Sequence, residues 1–207
     1  YSGLPSTQNL DSWFKPTNAV VQNGFLNLLI KPELNNGEHY ASAGIDTGFG
    51  YKQEYGKWSV RVKAPTGKGA SGYVGLYAED AQGNSLWPPE IVLTEVQGKD
   101  PTSNVMTVWT QGTSGPEYNS TTYVGPNFTN SFHTFTVEYE PGQIRWYVDG
   151  NLRKTATPSN FPSNLKWKLA IGDLVGDANN SFIGAPDSAT SLSTSMQVDW
   201  VEIYQKR

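Results

Sequence analysis

The sequence predicts an all-β protein, an antiparallel sandwich of two stacked sheets. Short runs of alternating apolar and polar residues recur along the 207 residues, separated by turns rich in the 21 Gly and 13 Pro. Charged residues make up only 16% of the chain, which disfavours long, ion-paired helices. With no linker-like tract, the chain is expected to form one domain over residues 1–207.

Alternation and turn residues predict the strands of the first half. Asn23-Gly24 favours a type I′ turn, and therefore a hairpin between residues 19–21 and 25–30. Residues 58–63 alternate between apolar and polar side chains and form a strand that ends before Pro65. A further strand is predicted over residues 73–78.

The second half repeats the pattern. Single strands are predicted at 105–109, 167–171 and 196–204. Between the first two of these, three strands form a meander that turns at Pro141-Gly142 and Asp149-Gly150. The region from Gly172 to Ser195 has no periodicity and is expected to be a surface loop at a cleft rim. Three tryptophans within apolar alternation are assigned to the core: Trp58, Trp146 and Trp200.

Composition excludes several functions. The net charge is −4 and no basic cluster occurs, so neither nucleic acid nor an anionic membrane is an expected partner. Without cysteine there is no thiolate nucleophile or Cys-based zinc site, and His39 and His133 lack metal-ligand spacing. Seven Trp and eleven Tyr instead favour a sugar ligand, because aromatic faces commonly bind sugar rings.

Glu90 and Glu95 stand out in the run from Trp87 to Val96. In a regular strand, residues five apart point to opposite faces. One β-bulge between them would return Glu95 to the face of Glu90. A retaining glycosidase needs such a pair, with carboxyl groups about 5 Å apart. The alternative is two acids on a solvated edge strand, and the flanking sequence decides between these readings.

The flanking sequence resembles glycoside hydrolase family 16, the laminarinases and lichenases. Members carry Glu-Ile-Asp-Ile-x-Glu, commonly followed by Gly-Lys-Asp, and this chain has Glu90-Ile91-Val92-Leu93-Thr94-Glu95 followed by Gly98-Lys99-Asp100. Similar matches are the segments that begin at Tyr55 and Phe132 and the closing Asp199-Trp200-Val201-Glu202-Ile203-Tyr204. The resemblance covers about residues 10 to 205 and implies a concanavalin A-like jelly roll with a concave substrate cleft.

The resemblance also implies roles. Glu90 matches the nucleophile and Glu95 the acid/base of a retaining endo-glycosidase that cuts a β-glucan, β-1,3 or β-1,3-1,4, or a related extracellular polysaccharide. It implies a secreted, monomeric enzyme that requires no cofactor. A structural calcium is a further expectation, with Asp199 as its carboxylate ligand.

Two departures from the family leave alternatives open. The central Asp of the motif is Val92 here, so the chain is either an active enzyme, which we favour because both carboxylates remain, or a weakened or inactive glycan-binding module. A structural or adhesion sandwich without a sugar ligand is a more remote third reading. The cleft also differs, since the region 69–77 is less rich in Trp. The candidate sugar contacts are Trp87, Trp109 and Trp167, and a core position is the alternative for Trp109.

Overall fold

A computed structural model confirms the all-β prediction. It describes residues 2–3, 9–48, 50–158, 160–162, 164–187 and 192–205. Within these ranges the chain forms a 3₁₀ helix at Pro16–Asn18 and fifteen strands: β1 (Ser12–Phe14), β2 (Ala19–Gln22), β3 (Phe25–Asn35), β4 (Glu38–Ser42), β5 (Gly44–Asp46), β6 (Gly56–Lys63), β7 (Ala70–Glu79), β8 (Ser85–Gln97), β9 (Ser103–Gly112), β10 (Gly115–Val124), β11 (His133–Glu140), β12 (Gln143–Val148), β13 (Asn151–Ala156), β14 (Lys166–Val175) and β15 (Thr194–Gln205).

The strands form two sheets. The nine-stranded sheet has the order β1-β4-β3-β15-β6-β11-β12-β13, with β2 also paired to β3. The six-stranded sheet has the order β10-β9-β8-β7-β14-β5. The β1–β4 pair is parallel and the other pairs are antiparallel. Strands adjacent in a sheet are often distant in sequence, as in a jelly roll.

Turn chemistry explains the predicted hairpins. Asn23 and Gly24 have φ of 55° and 82°, the positive values that a type I′ turn requires, and they join β2 to β3. Asp149 and Gly150 do the same between β12 and β13, with φ of 49° and 76°. The predicted meander is confirmed, because β11, β12 and β13 are consecutive neighbours.

The core lies between the two sheets. Its largest fully buried side chains are aromatic, and each contributes on the order of 3 kcal/mol by leaving water: Trp58, Trp146, Trp167, Phe128 and Phe135. In the described ranges, no helix has the length and apolar character needed to cross a membrane.

Two predictions about this architecture are wrong in part. Strand β14 continues to Val175, so the irregular region after it begins later than Gly172. Trp200 is only half-buried and lies opposite Arg61 rather than in the core. A register shift between Val198 and Trp200 leaves Asp199 as an extra residue, and this reverses the alternation of β15 beyond that point.

Candidate active site

A β-bulge in β8 places Glu90 and Glu95 on one face of the six-stranded sheet, as predicted. Thr94 pairs with Val74 of β7 and Val92 pairs with Gly75, so Leu93 is the extra residue. Leu93 turns into the core, where its side chain is 2% exposed. We call the face that carries both glutamates, directed away from the core, the cleft face.

The bulge is held from the opposite sheet. The carbonyl oxygen of Val92 accepts a hydrogen bond of 2.8 Å from the buried indole Nε1 of Trp146 on β12. Within its own sheet, the Thr94 hydroxyl also donates to Asn104 Oδ1 on β9 at 2.6 Å. Buried polar groups that lack partners are costly, so these bonds stabilise the irregular backbone that orients both carboxylates.

Cross-strand register arranges the cleft face in three rows that run across the strands. The first row contains Tyr118, Trp109, Glu90, Tyr77 and Lys168. The second contains Ser120, Thr107, Val92, Gly75, Ala170 and Asp46. The third contains Thr122, Val105, Glu95, Tyr73, Gly172 and Gly44. Because most residues of the middle row are small, they form a low floor between Glu90 on one side and Glu95 on the other.

Glu90 is held by two neutral donors. Trp87 Nε1 donates to Glu90 Oε2 at 2.9 Å, and the Tyr77 phenol is a second side-chain partner. Burial raises the pKa of Glu90, and the hydrogen bonds from Trp87 and Tyr77 oppose that rise. The carboxylate is therefore partly desolvated but stabilised in its ionised form, which suits a nucleophile.

Glu95 has a different environment. Burial, followed by the negative charge of Glu90, raises the pKa of Glu95 to about 7. Its polar contact is weak, since the Ser71 hydroxyl lies 3.5 Å from Oε1 and also contacts the Val96 carbonyl. Near neutral pH this carboxyl can give or take a proton, as general acid/base catalysis requires.

An aromatic cluster lies at one end of the first row. The ring of Trp109 lies 5.6 Å from that of Trp87 and 4.9 Å from that of Tyr118, centroid to centroid. Trp87 and Tyr118 are 56% and 66% exposed, so their rings are available to a ligand. Tyr118 could not be predicted from the sequence, because only the β9–β10 register shows that it faces the cleft.

A charged cluster lies at the other end of the cleft face. Lys168 Nζ lies 3.3 Å from Glu79 and 3.7 Å from Asp46, and Lys52 also pairs with Glu79. These ion pairs hold the pKa of Glu79 below its usual range, with the Lys52 hydrogen bond as the largest cause. This cluster could not be predicted from the sequence, since its members come from β5, β7, β14 and the segment before β6.

Trp167 is a correction to the predicted sugar contacts. It is 1% exposed and packs in the core against Tyr139 and Phe161, with ring centroids 5.8 Å and 5.4 Å away. The alternation of β14 directs its odd-numbered residues inward, so no sugar can reach this ring. Trp109 is on the cleft face instead, which makes the core reading wrong for this residue.

The described residues do not fit the calcium site expected at Asp199. The Asp199 carboxylate pairs with the guanidinium of Arg61, which competes with any cation. No group of three or more His, Cys, Asp or Glu side chains able to hold a metal occurs in the part of the chain that the structure describes. The calcium ion remains a prediction.

The fold is a β-sandwich in which a β-bulge places two glutamates on one face, beside exposed aromatic rings. This combination is typical of a glycoside hydrolase. The chain belongs to the glycosyl hydrolases family 16, whose model matches residues 6–202. This match confirms the resemblance seen in the sequence.

Known relatives agree with this assignment. The endo-1,3-1,4-beta-glycanase EglC of Rhizobium meliloti is 28% identical over 193 residues, covering 89% of this chain and 39% of that protein. The glucan endo-1,3-beta-glucosidase A1 of Niallia circulans is 28% identical, covering 92% of this chain and 31% of that protein. The chain thus spans less than half the length of these relatives.

A solved structure shows the same fold. The catalytic domain of an endo-1,3-beta-glucanase (laminarinase) from Thermotoga petrophila superimposes with a TM-score of 0.86 at 25% identity, covering 99% of this chain and 87% of that chain. The predicted jelly-roll sandwich is therefore confirmed.

Proposed function

We propose that the chain is a retaining endo-glycosidase that hydrolyses internal β-1,3 or β-1,3-1,4 linkages of a β-glucan or a related polysaccharide. The observation that carries this proposal is the bulge at Leu93, which brings Glu90 and Glu95 to opposite sides of one floor on the cleft face. Two carboxylates in different electrostatic environments are what double displacement requires.

In the first step, Glu90 attacks the anomeric carbon of a sugar that lies on the floor formed by Val92 and Gly75. The C–O bond to the leaving sugar breaks as Glu95, in its protonated form, donates its proton to the departing oxygen. Glu90 is then bonded to the sugar and no longer carries charge. Loss of that charge lowers the proton affinity of Glu95, which is left as a carboxylate.

In the second step, Glu95 removes a proton from water, and the resulting hydroxyl oxygen attacks the anomeric carbon. The bond to Glu90 breaks, Glu90 regains its negative charge, and Glu95 is again protonated. Two inversions at the same carbon leave the sugar with its original β configuration. The same intermediate would accept a sugar hydroxyl in place of water, which would give transglycosylation.

The shape and chemistry of the cleft face support a neutral polysaccharide as substrate. Six strands about 4.8 Å apart give a face about 24 Å across, and it extends to both sides of the glutamate pair. A chain that runs along the floor would cross the face, as an internal cut requires. We assign Trp87, Trp109 and Tyr118 to stacking on sugar rings at one end. The two relatives described above, an endo-1,3-1,4-beta-glycanase and a glucan endo-1,3-beta-glucosidase, support a β-glucan.

We further propose that the protein acts outside the cell as a monomer and requires no cofactor for its chemistry. The proposed substrate, a polymer too large to enter a cell intact, supports secretion. Neither step above requires more than two carboxylates and water. Size-exclusion chromatography with light scattering, together with activity that persists after chelation, would support these points; a dimer or loss of activity would contradict them.

The test of the proposed function is a glycan panel with product analysis. Laminarin, lichenan and bacterial exopolysaccharides are incubated with the protein and with Glu90→Ala, Glu95→Ala and Glu138→Ala variants. Glu138 lies on the outer face of the other sheet and serves as the matched control. We expect oligosaccharides with β configuration from the unmodified protein and from Glu138→Ala, and loss of turnover in both cleft variants.

Two outcomes would overturn the proposal. Turnover that survives in Glu90→Ala would contradict the assigned nucleophile. Binding of a glycan without any turnover would support the alternative, a glycan-binding module in which Val92 marks the loss of catalysis.

A further inference from the structure

The carboxylate assigned above as the nucleophile is half-buried and has no cationic partner among the described residues. Among the described residues, the groups that favour its ionised form are the indole of Trp87 and the phenol of Tyr77. Burying an ionised carboxylate is costly unless donors replace the lost water. These two neutral side chains must therefore supply much of that replacement.

Tyr77 is built into the sheet directly beside Glu90. The two residues are cross-strand partners on β7 and β8. A Cβ added to Gly75 would lie 3.1 Å from Tyr77 Cε2 and 3.6 Å from Glu90 Oε1. The phenol ring and the carboxylate thus share the space above Gly75, which only a residue without a side chain leaves open.

Among the described floor residues, the two nearest to Glu90 and Tyr77, Val92 and Gly75, offer no side-chain donor. Val92 pairs with Gly75 and lies on the same face as Glu90, but its side chain is apolar and 6% exposed. Trp87 lies in a segment of three residues, 87–89, that has no partners on β7, and it is 56% exposed. Tyr77 is therefore the donor that the sheet itself holds in place.

We propose that Tyr77 is the positioning residue of Glu90. Its phenol lies beside Gly75, orients the carboxylate toward the floor and favours the ionised form of that carboxylate, because Val92 supplies no polar group there. This inference rests on the proposed function only for its kinetic consequence. Burial, followed by the charge of Glu90, keeps the pKa of the Tyr77 phenol well above its usual range, so it stays a donor throughout the working pH.

The experiment compares Tyr77→Phe with Tyr147→Phe. Tyr147 donates to Glu138 at 2.9 Å on the outer face of the other sheet, so the control removes the same kind of Tyr–Glu hydrogen bond far from the cleft. The first readout is the titration of Glu90, followed by NMR of ¹³C-labelled glutamate carboxyls and assigned with Glu90→Gln. The second is the pH profile of kcat and KM on laminarin.

In Tyr77→Phe we expect the pKa of Glu90 to rise by about one unit, because a hydrogen bond to a charged group is lost and burial is less opposed. The acidic limb of kcat/KM should move up by the same amount. At a pH below the pKa of Glu90 in both proteins, we expect kcat to fall by up to about tenfold while KM changes less than about twofold, since the loss affects the reacting carboxylate rather than sugar binding. Tyr147→Phe should change neither profile.

A second variant guards against simple misfolding. Gly75→Ala introduces a Cβ that must displace the Tyr77 ring while the Tyr77 phenol itself remains. This variant should therefore raise the pKa of Glu90, as Tyr77→Phe does. Thermal midpoints of all variants are measured alongside. An unchanged Glu90 titration in Tyr77→Phe would overturn the inference.

The two readouts separate this inference from the proposed function. If no glycan is turned over but the Glu90 titration shifts in Tyr77→Phe, the proposed function fails and the positioning role stands. If the unmodified protein hydrolyses glucan and the acidic limb of Tyr77→Phe does not move, the positioning role fails and the function stands.

Discussion

Two glutamates on neighbouring strands of the cleft face have opposite electrostatic environments. Glu79, in the charged cluster, pairs with Lys52 and Lys168, and these partners lower its pKa. Glu95, near the centre, has no cationic partner among the described residues, and burial raises its pKa to about 7. Among the described residues, the two lysines that form these ion pairs lie at one end of the face, away from the central carboxyl, which is able to hold a proton.

The two ends of the face also offer different contacts to a ligand. The aromatic cluster of Trp87, Trp109 and Tyr118 presents ring surfaces, whose interactions depend little on salt. The charged cluster presents donors and acceptors for sugar hydroxyls, and its geometry depends on ion pairs between largely buried side chains, which salt screens only weakly. A polymer that crosses the face would meet each type of contact on one side of the cleavage point.

The largest expected effect is on stability, in Glu95→Gln. The pKa of Glu95 is raised from 4.5 to about 7. Its stabilising contribution to the free energy of unfolding is therefore fully present below pH 4.5 and is lost as the pH rises through 7. Removing the charge should raise the free energy of unfolding at pH 8 by about 3 kcal/mol. The measurement is urea unfolding of both proteins at pH 4.5 and 8.

Glu79→Gln is the matched variant for this comparison. The lowered pKa of Glu79 means that its contribution is present above pH 4.5 and is lost as the pH falls through its folded value. This variant should therefore be less stable than the unmodified protein at pH 8. If both substitutions changed stability in the same direction, the contrast between the two glutamates would not hold.

The next effect concerns the aromatic cluster. Trp109 contacts both other rings, so Trp109→Ala should disrupt the whole cluster. We expect KM for laminarin to rise about tenfold, equivalent to about 1.4 kcal/mol, with kcat little changed. Trp109→Phe keeps an aromatic face and should lose less. An increase in KM that varied with salt would contradict a stacking role.

The smallest effect concerns the charged cluster. Lys168→Met removes the side chain that joins Glu79 to Asp46, and we expect KM to rise about threefold at low salt. The difference from the unmodified protein should change little as salt increases, because the paired side chains are largely buried. Arg145→Met, which breaks comparable ion pairs with Glu138 and Glu140 on the other sheet, is the control and should leave KM unchanged.

Local sequence signals predicted much of the fold, because alternation and turn residues act over a few positions. The Asn23-Gly24 hairpin and the meander of β11 to β13 are confirmed. The bulge between Glu90 and Glu95 was also predictable, since only an inserted residue could place both acids on one face. Their catalytic roles, the single-domain organisation and the calcium ion remain predictions.

Register and face could not be predicted in the same way. Trp109 and Trp167 both lie in alternating strands, and the sequence does not show which face of a strand meets the core. The interpretation of Trp200 failed because the bulge at Asp199 reverses the alternation. Tyr77, Tyr118 and Lys168 join the row of Glu90 only through pairing with strands that are distant in sequence.

The central claim is that Glu90 forms a covalent bond with the sugar, and trapping that intermediate tests it most directly. The protein is incubated with a 2-deoxy-2-fluoro-β-laminaribiosyl fluoride, digested and analysed by mass spectrometry. We expect the β8 peptide to gain one glycosyl group, located on Glu90, and Glu90→Gln to gain none. Rapid turnover without an adduct, or an adduct on another residue, would contradict the assignment of Glu90 as the nucleophile.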